Sequence, residues 1–267
     1  MTEIQGKLEI CDCQGHLFGP FQESPLSSRR NFDLPVPPIE ELETIWQTSG
    51  LACAVLVQGS ARGDDHAALL ATLARSPETM RGVVLLQSEV TDAAFAVLHR
   101  KGMRAVRFDG LHLLFASDGN CEQHRLADAA APLKRVEPLG CHVVVHIDIA
   151  DLALVTCLDQ LQAMPVVIDH MARIGPALQD LSSQLARLLR ALAEDLFWVK
   201  VSDADHLTEK CSDLQEAVQT MCTRLDAASE RIVWRLDWLP VNLARKRFAV
   251  QLTDLMLQAA GSELLGY

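Results

Sequence analysis

No stretch of this chain approaches the ~18 consecutive apolar residues of a membrane helix, so no membrane-spanning helix and no membrane partner are expected. Basic residues are in the minority, 24 against 35 acidic ones, and the net charge is -11. That balance argues against nucleic acid as a partner, because phosphate binding takes a basic face. It leaves room for a small anionic substrate, which needs only a few local arginines. Residues 1–5 lack the basic and apolar regions of a signal peptide, which predicts a cytoplasmic protein. The eight cysteines show no second Cys/His cluster at zinc-site spacing. Cys53, Cys141 and Cys157 lie in or beside apolar segments, and Cys11 and Cys13 alternate along a strand. This pattern suits buried, reduced thiols rather than a disulfide framework. With no low-complexity tract and no linker, residues 1–267 read as a single domain, a monomer or a homodimer.

What is present is a regular alternation. Eight short apolar runs recur: Leu8–Cys11, Ala54–Val57, Gly82–Leu86, Ala105–Phe108, His142–Val145, Val166–Ile168, Trp198–Val201 and Ile232–Trp234. Near-continuous apolar runs are the mark of parallel strands buried on both faces. Amphipathic stretches stand between them. Ile39, Leu42 and Ile45 recur at helical spacing in 38–49, and Ala68, Leu69 and Leu73 in 65–74. Leu181, Leu185, Leu188, Leu189 and Leu192 do so in 178–192, and Leu214, Val218, Met221 and Leu225 in 211–225. The length suits a barrel of eight strand–helix units, which typically takes ~250 residues. The predicted fold is therefore an α/β (β/α)8 TIM barrel. Its last unit is shortened or distorted, because few residues follow the eighth run. Two segments are irregular: Phe18–Pro38, with five prolines and Arg29-Arg30, and Gly110–Leu126. Loops of that length often cover binding sites.

In such barrels the chemistry sits where the strands end. The first strand ends in Asp12, Gln14 and His16, and the second in Gln58-Gly59-Ser60. The fourth ends in Arg107-Phe108-Asp109, the fifth in His146 and Asp148, and the sixth in Asp169-His170 with Arg173 beyond. Ser202, Asp205 and His206 follow the seventh, and Asp237 closes Trp234-Arg235-Leu236-Asp237 after the eighth. Histidine, arginine or carboxylate at most of these endings predicts one polar pocket. A two-histidine, one-carboxylate site for zinc or manganese is one use of it, with His16, His146 and Asp237 as ligands.

Several of these stretches resemble one family. They are 12–19, Val55-Leu56-Val57-Gln58-Gly59-Ser60, Arg81-Gly82-Val83-Val84 and 102–108, then Val166-Val167-Ile168-Asp169-His170-Met171-Ala172-Arg173, Trp198-Val199-Lys200-Val201-Ser202 and 234–238. In order and over nearly the whole chain, they are similar to amidohydrolase-related proteins of the 2-pyrone-4,6-dicarboxylate lactonase type. The resemblance implies metal-independent hydrolysis of a lactone or related cyclic ester of a small carboxylic acid, without cofactor. Asp237 falls where the general base activates water. His170 and His16 fall where histidines polarise the attacked carbonyl. Arg107 and Arg173 fall where arginines hold substrate carboxylate, and Gln58 and Ser60 look like supporting contacts.

The departures define the alternatives. Gln14 replaces the first histidine of an Asp-x-His-x-His pattern and reads as a substrate-facing amide. His146 is a further pocket candidate. Arg235-Leu236 stands where Gly-Thr is usual, Leu239-Pro240 where Pro-His is usual, and Asp205-His206 where Tyr-Arg is usual. Beside the lactonase reading stand a metal-dependent amidohydrolase and a catalytically impaired small-molecule binder.

Overall fold

The computed structural model describes residues 11–16, 39–48, 51–59, 65–85, 90–108, 126–156, 163–174, 181–202, 207 and 213–234. Eight parallel strands run in chain order: β1 (Cys11–Gly15), β2 (Cys53–Val57), β3 (Met80–Leu85), β4 (Met103–Phe108), β5 (His142–Val145), β6 (Val166–Ile168), β7 (Phe197–Val201) and β8 (Ile232–Trp234). The first and last strands lie against each other, so the sheet curls into a nearly closed barrel. Helices α1 (Ile39–Thr48), α2 (Ala67–Arg75), α3 (Asp92–Arg100), α4 (Leu126–Val136), α5 (Leu152–Thr156), α6 (Leu181–Leu192) and α7 (Leu214–Leu225) connect the strands.

Side chains alternate across each strand, and both faces find apolar partners. One face carries Leu56, Val84, Val106, Val143, Val145, Val166, Ile168, Val199 and Ile232. It packs on Leu69 and Leu73 of α2, Phe95 of α3, Leu133 of α4, Leu185 and Leu188 of α6, and Val218 of α7. The other face supplies a smaller inner cluster: Val57, Val83, Ala105, Val144 and Val167. This two-sided burial is why seven of the eight strands were legible as apolar runs. Helix α3 opens on Thr91, whose hydroxyl accepts from the Ala94 amide at 3.3 Å and so satisfies one orphan donor.

The strands demand close approach at two glycines. A Cβ on Gly82 of β3 would lie 2.7 Å from Leu73 of α2, and one on Gly15 of β1 would lie 3.0 Å from Trp46 of α1. At Gly82 the missing side chain lets α2 seat directly on the barrel.

The first strand differs from expectation. Its described part is Cys11–Gly15, so Asp12 and Gln14 lie within the strand rather than beyond its end. Polar residues are tolerated there because each has a partner. Trp46 Nε1 donates to Asp12 Oδ2 at 2.9 Å, and the Gln14 backbone N–H donates to Asp12 Oδ1 at 3.2 Å. Pairing with β2 shifts register between Asp12 and Gly15, which turns Gln14 toward the barrel interior. Cys11, Cys13, Cys53, Cys141 and Cys222 are free thiols. The Cys13 thiol beside it, then burial, push the Cys11 thiol up, away from the reactive thiolate.

Candidate functional site

Two residues beyond each inner apolar position, the same strand face reaches the C-terminal mouth of the barrel. Arg107 follows Ala105 on β4, His146 follows Val144 past β5, Asp169 follows Val167 past β6, and Lys200 follows Trp198 on β7. The floor is apolar and the rim is charged. This is how opposite regions of the chain meet at one place.

Asp169 and Lys200 form the centre. Lys200 is 2% exposed and Asp169 fully buried, a costly placement unless both are paired. Lys200 Nζ donates to Asp169 Oδ1 and to Gln14 Oε1, each at 2.7 Å. Arg107 Nε lies 3.4 Å from Asp169 Oδ2 on the other side of the carboxylate. Burial pushes the Asp169 pKa up, but Lys200, then Arg107, then His170 outweigh it and hold the carboxyl well below the usual carboxylate range.

From Gln14 the hydrogen bonds run on to His16. Gln14 Nε2 and His16 Nε2 are 3.1 Å apart, and His16 Nδ1 lies 2.9 Å from the Val57 carbonyl. A carbonyl only accepts, so Nδ1 carries the proton and Nε2 of the neutral ring accepts from the Gln14 amide.

The second half of the site is a pair of imidazoles. His146 and His170 meet edge to face, centroids 5.0 Å apart at 77°. His170 Nδ1 is bonded to Ser202 Oγ at 2.8 Å, and its Nε2 lies 4.0 Å from Asp169 Oδ2. His146 Nδ1 is 3.4 Å from Arg107 Nη2.

His170 is aimed by an unusual backbone. His170, Met171, Ala172 and Arg173 all have φ of 52–53°, and none is glycine. Left-handed residues cost roughly 1–2 kcal/mol each for L-amino acids. The turn is held because Met171 and Ala172 are buried in the main core, and strain of this kind concentrates at functional sites. At its end Arg173 Nε pairs with Asp148 Oδ1 at 2.9 Å, both side chains partly exposed.

Gln14, His16, Arg107, His146 and His170 therefore gather in one cluster. Gln58 is buried beside them, but its Nε2 donates to the Asp65 carbonyl at 2.9 Å, tying down the segment before α2. Arg173 sits at the rim. Asp237 and Ser60 lie outside the described residues, as do Asp109, Asp205, His206 and Arg235. Sequence reasoning gave Lys200 no role, and it named Asp169 at the end of the sixth strand without giving it one. The available signal was a lysine within an otherwise apolar strand, where a charge demands a buried partner.

Of the candidate metal ligands His16, His146 and Asp237, the last lies outside the described residues. The Lys200 ammonium already contacts Gln14 and Asp169, and the His16 Nε2 lone pair faces an amide N–H. Among the described residues no three His, Cys, Asp or Glu side chains are grouped to hold a metal ion.

The amidohydrolase family pattern matches residues 11–264. The chain is 26% identical over 258 residues to a 4-sulfomuconolactone hydrolase of Hydrogenophaga intermedia, covering 94% of this chain and 82% of that one. It is 27% identical over 243 residues to a 2-pyrone-4,6-dicarboxylate hydrolase of Comamonas testosteroni, covering 87% and 77%. A crystal structure from Pseudomonas putida, assigned as a 2-pyrone-4,6-dicarboxylic acid hydrolase, superposes with a TM-score of 0.78 at 25% identity over 97% of this chain and 93% of that one. Barrel, strand-end cluster and full-length similarity agree: the chain belongs to the amidohydrolase family.

Proposed function

We propose that this protein hydrolyses a lactone or related cyclic ester of a small carboxylic acid, without a metal. The observation that carries the reading is the convergence of Gln14, Arg107, His146 and His170 around the Asp169–Lys200 pair at the barrel mouth. The lactone hydrolases among its relatives support the substrate class.

Hydrolysis needs a base for water, donors for the developing oxyanion and a clamp for the acid. Asp237 is the proposed base, on the resemblance of 234–238 to the family. His170 is the proposed oxyanion donor: Ser202 at Nδ1 fixes its ring beside Asp169 and His146. The second N–H of Gln14 is a companion donor, and His16 holds that amide in place. One such donor is worth ~3–4 kcal/mol in well-studied sites. Arg107, with Arg173 at the rim, supplies planar donors suited to a carboxylate. Gln58 and Ser60 are supporting positions.

The lysine at the centre supports the metal-free form, since a fixed ammonium stands where a cation would balance Asp169. The reading of a catalytically impaired binder draws on the same network, in which Lys200 already engages the Gln14 oxygen and the Asp169 carboxylate.

The test is turnover of a lactone panel including 2-pyrone-4,6-dicarboxylate and 4-sulfomuconolactone. Asp237→Asn is expected to abolish turnover while substrate still binds. Unchanged turnover in that variant defeats the assignment. No turnover of any lactone, with thermal stabilisation by a dicarboxylate, establishes the binder instead.

A further inference from the structure

We propose that Lys200 is a positioning residue: its ammonium is a fixed positive charge of the site, and through Gln14 it sets the hydrogen bond that His16 accepts at Nε2. The inference rests on the hydrolase reading only for its effect on turnover; its effect on the His16 ring is read independently.

An ammonium has three donors and no acceptor. Two of them go to Asp169 Oδ1 and Gln14 Oε1, both at 2.7 Å. The Gln14 carboxamide is thereby oriented, because its NH2 group cannot face a second donor. It can offer only N–H to His16 Nε2, 3.1 Å away. The Val57 carbonyl, 2.9 Å from His16 Nδ1, demands a proton there. The two ends of the chain agree on one polarity, running from ammonium to amide to imidazole to carbonyl. Hydrogen bonds aligned in this way polarise one another, so the Lys200 charge on the Gln14 oxygen makes the remaining Gln14 N–H a stronger donor toward the pocket.

The anchoring is equally directional. Lys200 stands on β7, Asp169 follows β6, and Gln14 stands on β1, 186 positions away in sequence. A buried lysine serving only to neutralise Asp169 would not require the second contact to Gln14. Arg107 Nε already lies 3.4 Å from the same carboxylate. The second contact spends the ammonium on the amide that stands where an Asp-x-His-x-His pattern would place a histidine.

The experiment combines Lys200→Met, Gln14→Met and the double variant, with folding checked by circular dichroism. 15N-histidine NMR reads the His16 tautomer and, from the Nε2 resonance, whether that atom accepts a hydrogen bond; kinetics read kcat and KM. The wild type is expected to show His16 as the Nδ1–H tautomer with Nε2 accepting from Gln14. Each single variant should lose that Nε2 hydrogen bond, read as a shift of its 15N resonance, and drop kcat roughly 10–100-fold, with KM changing only a few-fold, as expected for a residue that orients a functional group. Because Lys200 acts through Gln14, the double variant should be little worse than either single one. A folded Lys200→Met protein that keeps the wild-type Nε2 resonance overturns the proposal, as does a multiplicative loss in the double variant. Should the chain hydrolyse no lactone, the resonance still decides. Should Lys200→Met fail to fold, the wild type decides: a His16 Nε2 that accepts no hydrogen bond overturns the proposal.

Discussion

Ser202 Oγ and His170 Nδ1 lie 2.8 Å apart, joining the end of β7 to the turn after β6. The bond fixes the ring's orientation. Ser202→Ala should therefore lower kcat about tenfold, the worth of one net hydrogen bond of roughly 1–1.5 kcal/mol, while KM stays near wild type. Steady-state kinetics on any turned-over lactone checks this. An unchanged kcat would mean that His170 does not depend on Ser202.

The left-handed turn makes its own prediction. Ala172 has φ of 52° and is fully buried. Ala172→Gly relieves the positive-φ cost but loses a buried methyl, so its stability should stay within about 1 kcal/mol of wild type. Ala172→Val places a β-branched side chain at the same φ in a packed core and should cost about 3 kcal/mol or more. Urea denaturation of the two variants distinguishes them, and equal stabilities would contradict the geometry.

Two groups link stability to acid. Burial, then the charge of Lys200, lower His142 from 6.5 to about 4. Asp169 is held below its ordinary value by its cationic neighbours, against the upward push of burial. Both are depressed in the folded state, so each contribution is present above the unfolded pKa and lost as pH falls toward the folded one. The Tm should decline between pH 6.5 and 4 through His142, then further below pH 4, where Asp169 takes up a proton in the unfolded chain while the folded carboxylate stays charged. In His142→Gln the upper part of that decline should flatten while the lower part remains. A scanning-calorimetry series across pH tests both halves.

How much of this was legible in the sequence depended on where each residue's partners lie. Strands β2 to β8 stood out because apolar residues covered both faces. The described part of β1 did not, because Asp12 and Gln14 are stabilised by Trp46 and Lys200, which are distant in sequence. Helix α3 was not named from the sequence, although Phe95 and Leu98 stand on its core face at helical spacing. His16, Arg107 and His170 could be named from the strand ends alone. Lys200 could not be given a role, since its meaning lies in a contact across the barrel. Nor could the turn at 170–173 be foreseen, because no glycine marks its positive φ values.

Trp46 tests the support of the first strand. Its indole N–H is bonded to the fully buried Asp12 carboxylate, which also holds the Gln14 backbone. Trp46→Phe keeps most of the packing but strips that donor, and should cost about 1–3 kcal/mol. Equilibrium unfolding measures it. No loss would show that the Asp12 contact contributes nothing to holding β1.

The most direct test of the whole account is the lactone panel run on chelator-treated protein with its metal content measured. The protein is expected to hydrolyse at least one small carboxylated lactone at a rate unaffected by removing or adding zinc. Turnover that appears only when zinc is restored would contradict it.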